Sequence, residues 1–179
     1  FHVEHSNWRT AIARPEQLLP EGDWKVWLLC AGRGFGKTRA GAEAVREWII
    51  NGHQFVNLLA PTFADGRDVM VEGESGLLSI AHDLIETWNR SMGEIRWKTG
   101  ARSKIFSSDT PERLRGPQSS ALWGDEPGAW SNDQMFWDMA MLVPASPYCS
   151  QPVTASTQGR SPSSSPKSSA SVIGWHIPR

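Results

Sequence analysis

Lys37 and Thr38 follow a turn with glycine at positions 32, 34 and 36. The window at 31–38, AGRGFGKT, fits the phosphate-loop pattern G-x-x-x-x-G-K-[ST], with alanine in place of the first glycine. In that chemistry the backbone N–H groups of the turn and of the following helix converge on one anion. The lysine reaches the outer phosphates of a nucleoside triphosphate such as ATP, and the threonine hydroxyl ligates Mg²⁺. Gly32, Gly34 and Gly36 permit unusual dihedrals and close approach of backbone to ligand. Arg33 and Phe35 complete the loop, and Arg33 is a candidate for stabilising charge on the γ-phosphate. Two other readings compete. One is a dinucleotide-binding turn, which wants an acid at the end of the next strand, and FVNLLAPT (55–62) offers none. The other is a glycine turn without a ligand.

The second reactive group is Asp125-Glu126, at the end of the apolar run ALWG. In an open α/β sheet, ligands bind beyond the C-terminal ends of the strands. A strand delivering two acids there supplies what a phosphate loop lacks. Asp125 would hold Mg²⁺, directly or through water, and Glu126 would orient and polarise the attacking water. The alternative is that the pair opens a helix and complements its dipole. Upstream, TPERLRGPQ (110–118) carries Arg113 and Arg115, each either a cation for transition-state charge or a solvated surface arginine.

These residues need elements to position them. WKVWLLCA (24–31) is nearly continuous in apolar residues, which predicts a strand buried on both faces. The stretch 36–50 has Ala40, Ala44, Val45, Trp48 and Ile49 at helical spacing, closed by Asn51-Gly52. A strand is expected at 55–60 and an amphipathic helix at 76–88. A hairpin turning at Thr99-Gly100 is expected over 94–108, a buried strand over 120–126 and a helix over 133–142. The segment ARPEQLLPEGD reads as a loop with a helical turn. Strands alternating with helices predict an α/β domain with a mainly parallel sheet.

The chain of 179 residues suits one domain plus a tail, here 1–142 and 143–179. The tail is rich in serine and proline and cannot bury enough apolar surface to offset its ordering entropy. It reads as disordered or aberrant, with a short strand near Val153, and a shifted reading frame would give the same composition. The net charge of −1 gives no global basic signature for nucleic acid. A small basic strip, Lys98, Arg102 and Lys104, is either a DNA-backbone contact or a solvated face. Cys30 and Cys149 are far apart and in no metal spacing, which fits a reducing, cytoplasmic setting. No run of 18 apolar residues and no signal peptide is present, so a membrane location is not expected. The chain begins at Phe1 rather than Met. Five scattered histidines read as surface residues. Trp24, Trp27, Trp48, Trp88 and Trp123 read as core, and Trp8 and Trp97 as packing residues before base-stacking ones.

Three motifs in order, AGRGFGKTRAGAE, ERLRGPQ and WGDEPGAW, resemble the ATPase domain of phage terminase large subunits, in the prophage and gene-transfer-agent style. ARPEQLLPEGDWKVWLL before the loop and DQMFWDMAM after the acids are similar as well, so the resemblance spans about 10–141. It implies a P-loop ATPase of the RecA-like (ASCE) kind, a three-layer α/β sandwich. It implies hydrolysis of ATP with Mg²⁺ to drive double-stranded DNA packaging. The partners it implies are a small terminase subunit and a portal or prohead, with a ring-shaped oligomer in the host cytoplasm. Lys37 and Thr38 match the family's phosphate-loop pair, Asp125 its Mg²⁺-linked aspartate and Glu126 its catalytic carboxylate. Arg33 matches the loop arginine, and Gln17 a glutamine that contacts adenine. The family continues into a nuclease domain of RNase H type, for which this chain has no room. Its threonine-rich coupling motif is echoed only loosely by VTASTQGR (153–160). A superfamily 2 helicase-like ATPase shares the loop and the acid pair but needs a second RecA-like domain. A nucleotide-binding remnant without turnover is the non-enzymatic reading.

Overall fold

Val26–Cys30 (β1) leads into the glycine turn and Lys37–Ile50 (α1) leaves it. The computed structural model describes residues 7–22, 24–142 and 170–176. After α1 come Val56–Ala60 (β2), the short helix Phe63–Asp65 (α2) running into a π-helical turn Gly66–Val71, and Leu77–Ile80 (α3). Three antiparallel strands follow, Ile85–Asn89 (β3), Glu94–Trp97 (β4) and Arg102–Ser107 (β5). Ala121–Gly124 (β6), Asp133–Leu142 (α4) and Ala170–His176 (β7) complete the order. The sheet runs β1-β7-β6-β2-β5-β4-β3.

That sheet is mixed, which corrects the expectation of a mainly parallel one. Only β2 pairs in parallel, with β5 on one side and β6 on the other. β7 is antiparallel to both β1 and β6. Two consequences fix the site. β1 and β6 are parallel to one another because each opposes β7. The C-terminal ends of β1, β2, β5 and β6 therefore share one sheet edge.

The core divides across the sheet because successive strand residues face opposite sides. Val56, Leu58 and Ala60 of β2, Ile105 of β5 and Trp123 of β6 join α1, α3 and the π-helical turn. Leu59, Phe106 and Leu122 point the other way, against Trp130 and Phe136, with Ala140 of α4 in the same cluster. β2 and β6 are buried along their whole length. β1 is not, and the expected burial on both faces is corrected here. Trp27 and Leu29 are buried, whereas Val26, Leu28 and Cys30 are exposed, because β1 is the outermost strand. Asn57 is buried in β2 without cost, since its amide donates to Gln118 O at 3.1 Å and Ser119 Oγ at 2.8 Å.

The helix expected over 76–88 is also corrected. α3 stops at Ile80, and Ile85–Asn89 becomes β3 instead. Leu77, Ile80 and Ala81 are buried as a helical face requires. The β-branched and aromatic residues Ile85, Thr87 and Trp88 then find a partner in β4, and ladder bonds to β4 outweigh the 3.6-residue pattern. The hairpin of β4 and β5 forms as expected, with Lys104 and Glu94 bridged across it at 2.8 Å. Ala170–His176 is a strand, paired between β1 and β6. The strand expected near Val153, and the echo at 153–160, lie outside the described residues.

α1 packs closer to the sheet than a helix ordinarily can. A Cβ placed on Gly41 would collide with the indole ring of Trp123, which is fully buried. Alanine would gain about 1 kcal/mol of helix propensity. Overpacking against a ring with no room to retreat costs about 1–3 kcal/mol. Gly41→Ala is therefore expected to lower the urea unfolding midpoint, and Gly41→Val to lower it further. A raised midpoint for Gly41→Ala would disprove this close approach of α1 to β6.

Candidate nucleotide site

The loop at 31–36 is held from three sides. Gly34 and Gly36 have φ of 78° and 83°, a conformation that favours glycine. Gly36 is the N-cap of α1, so the free N–H groups of the helix start face the loop. The Lys37 ammonium donates to Ala31 O at 3.0 Å and Gly32 O at 3.1 Å. It thus reaches back over the loop. From below, the 3-10 turn Pro15–Gln17 presents Gln17, which is 7% exposed. Gln17 Nε2 donates to Phe35 O at 2.9 Å, and Gln17 Oε1 accepts from Arg14 N at 2.9 Å. The Arg14 guanidinium lies 4.9 Å from the centre of the Phe35 ring. The same N-terminal segment is pinned to α1 through Trp8, whose ring carries Arg39 at 5.3 Å, and Arg39 pairs with buried Glu43 at 2.8 Å.

Asp125 and Glu126 sit at the end of β6, on the edge that carries the loop. Asp125 N donates to Leu59 O at 2.9 Å, which continues the β2–β6 ladder. The Trp130 indole donates to Asp125 O at 3.0 Å. Asp125 is 5% exposed, and its Oδ1 is buried with no hydrogen-bond partner among the described residues. Burial first, then the adjacent Glu126 charge, push this carboxyl up to about 6, while a hydrogen bond from the Glu126 backbone and then the Lys37 charge pull it down. Glu126 is exposed and takes up φ 47°, the only positive φ of a non-glycine residue among those described. Such strain, of order 1–3 kcal/mol, persists where the surroundings over-determine it. Asp125, Glu126 and Asp65 line one cleft of about 290 Å³, floored by Ala60, Pro61 and Met70.

A buried carboxylate oxygen without a donor suits a cation, because an unpaired buried charge is otherwise costly. The carboxyl of Asp125 fits a cation such as Mg²⁺ on that ground.

A family model described as terminase large subunit, T4likevirus-type, N-terminal, matches residues 28–152, well over half of the chain. The chain belongs to that family. Among solved structures, the terminase domain is similar to the large terminase ATPase domain of Thermus phage P74-26, with 16% identity and a TM-score of 0.48. The match covers 63% of this chain and 53% of that one. A mutant of the same phage domain gives 18% identity and 0.47, over 63% and 54%. The chain thus spans about half the length of the terminase structures it matches. No curated protein sequence matches it.

The tertiary structure of this terminase domain sorts the residues singled out in the sequence. Lys37, Thr38, Asp125 and Glu126 come to one edge. Arg33 is exposed in the turn. Arg113 lies in the 3-10 turn Pro111–Leu114 and Arg115 follows it. Both are exposed, and neither guanidinium makes a hydrogen bond or ion pair among the described residues. Of the basic strip, Lys98 donates to Asp83 O at 2.7 Å and Lys104 pairs with Glu94, which leaves Arg102 exposed. Trp8 and Trp97 are packed, and Trp97 donates to Ser103 Oγ at 2.9 Å. His53 is buried beside Trp48, which corrects its reading as a surface residue. Cys30 is a free thiol, and Cys149 lies outside the described residues. Asp65 and Arg14 are the site residues that sequence reasoning missed. Thr62-x-x-Asp65 is a readable capping box, with Thr62 Oγ1 and Asp65 Oδ2 at 2.6 Å.

Proposed function

We propose that this chain is the ATP-hydrolysing motor domain of a terminase large subunit, a P-loop fold of the RecA-like, three-layer kind that drives double-stranded DNA packaging. One observation carries the reading. A single sheet edge collects a glycine loop with Lys37 and Thr38 and a buried carboxylate, Asp125, with an unpaired oxygen inside the field of that lysine.

Each residue then has a task. The loop N–H groups and Lys37 bind the outer phosphates, and Lys37 gives up its carbonyl partners to do so. Thr38 and Asp125 would hold Mg²⁺, which when bound neutralises charge on the phosphate oxygens. Glu126, exposed in the cleft and fixed by its αL backbone, orients a water and accepts its proton as the water attacks. Arg33 and Arg115 are the cations proposed for charge on the γ-phosphate, in cis or from a neighbouring subunit. The DNA, the small subunit, the portal or prohead, a ring assembly and a cytoplasmic setting belong to this proposal at family level. Among the described residues no helix is long and apolar enough to cross a membrane.

Steady-state ATP hydrolysis, measured with and without double-stranded DNA, tests the reading. Turnover that rises with DNA is expected. ATP binding without turnover would reduce the chain to a nucleotide-binding remnant, and no binding would overturn the proposal.

A further inference from the structure

We infer that Gln17 is a positioning residue of the phosphate loop, which aims a loop N–H at the nucleotide's phosphates. This rests on the proposed nucleotide site and says how that site is held in shape.

Gln17 is buried and both of its polar atoms are engaged: Oε1 accepts from Arg14 N, and Nε2 donates to Phe35 O and, at 3.5 Å, to Gly36 O. The acceptor explains the consequence. Phe35 C=O and Gly36 N–H belong to one planar trans peptide, so they point in opposite directions. Holding the carbonyl toward Gln17 turns the Gly36 N–H away from it. Gly36 has φ 83° and caps α1, so its N–H is the first donor of the helix start. Arg14 reinforces the latch, donating to the same Phe35 O at 3.4 Å and stacking on the Phe35 ring. A Cβ on Gly36 would stand 2.9 Å from Gln17 Nε2, so the latch and the loop are in direct contact.

Because the latch acts on the loop, its loss is felt by any ligand with phosphates, with or without a base. Titration calorimetry with Mg²⁺ should compare ATP, GTP and inorganic triphosphate on the full chain. Gln17→Ala removes all three hydrogen bonds. Gln17→Glu keeps the size and the acceptor for Arg14 N–H but cannot donate to Phe35 O. Both variants are expected to weaken all three ligands by the same factor, about tenfold for one buried hydrogen bond. The ratio of ATP to GTP affinity should not change. Amide exchange should quicken at Gly36, Lys37 and Thr38 and stay unchanged in the middle of α1. The inference fails if ATP binding drops while inorganic triphosphate binds as before, since Gln17 would then read the base. It also fails if neither variant folds, which would make Gln17 a core residue only. If the unaltered chain binds none of the three ligands, the nucleotide site itself is wrong, a result distinct from the other two.

Discussion

Lys37→Ala is expected to abolish measurable nucleotide binding while leaving the fold intact. Lys37 supplies the mobile cation of the loop, and its ammonium already spans Ala31 O and Gly32 O across the turn. On binding, those neutral acceptors are exchanged for phosphate oxygens, and bonds between ionised partners are about twice as strong as neutral ones. Losing two charge-assisted bonds, each about 1.5–3 kcal/mol, weakens affinity by about two to four orders of magnitude. A second effect adds to this. Without Lys37 only the hydrogen bond from the Glu126 backbone is left to offset the burial and the Glu126 charge that already hold the Asp125 carboxyl up to about 6. Asp125 then binds a proton more readily, and the cation side of the site weakens too. Stability should change little, because the two carbonyls that lose Lys37 sit at a loop open to water. Calorimetry with a slowly hydrolysed ATP analogue and Mg²⁺ is the measurement. An affinity within a factor of two or three of the unaltered chain would remove the phosphate-loop assignment.

Glu126→Gln is expected to keep ATP bound and to cut turnover by roughly 10²–10⁴-fold, the usual range for a lost general base. The amide has nearly the same size as the carboxylate but polarises water poorly and takes no proton. The backbone at Glu126 is set by its neighbours rather than by its side chain. Asp125 N is bonded to β2, Asp125 O to the Trp130 indole, and the 3-10 turn Pro127–Ala129 follows at once. Glutamine therefore inherits the same φ of 47° and points the same way. Asp125→Asn should behave differently. It removes the buried charge that faces the cation, so Mg²⁺-dependent affinity falls before any catalytic step. Parallel measurement of binding and of single-turnover hydrolysis separates the two. If both variants lost binding and turnover to the same degree, the division of labour between Asp125 and Glu126 would be wrong.

The sequence by itself determined the local parts of this terminase domain. A glycine turn needs only its own dihedrals, and Gly34 and Gly36 adopt them. The helix after the loop was legible because Ala40, Ala44, Val45, Trp48 and Ile49 repeat with its period, and all five are buried. β2 and β6 were legible because a strand packed on both faces has no polar face to break the run. Even the Asp-Glu pair was marked, since an apolar strand that ends in two acids must deliver them to a sheet edge. Tertiary structure decided the rest, and in each case through a partner remote in sequence. β1 and β6 have similar apolar runs, yet one is half exposed and the other buried, because that depends on what lies beside each in the sheet. The segment at 85–89 has a helical period and β-forming side chains, and hydrogen bonding to β4 chose between them. Ala170–His176 became a strand because β1 and β6 each present it with an edge to pair with. Gln17 carried no signal of its contact with Phe35, eighteen residues away along the chain. A backbone carbonyl has the same appearance in every sequence, so only the folded chain shows which one a buried amide will hold.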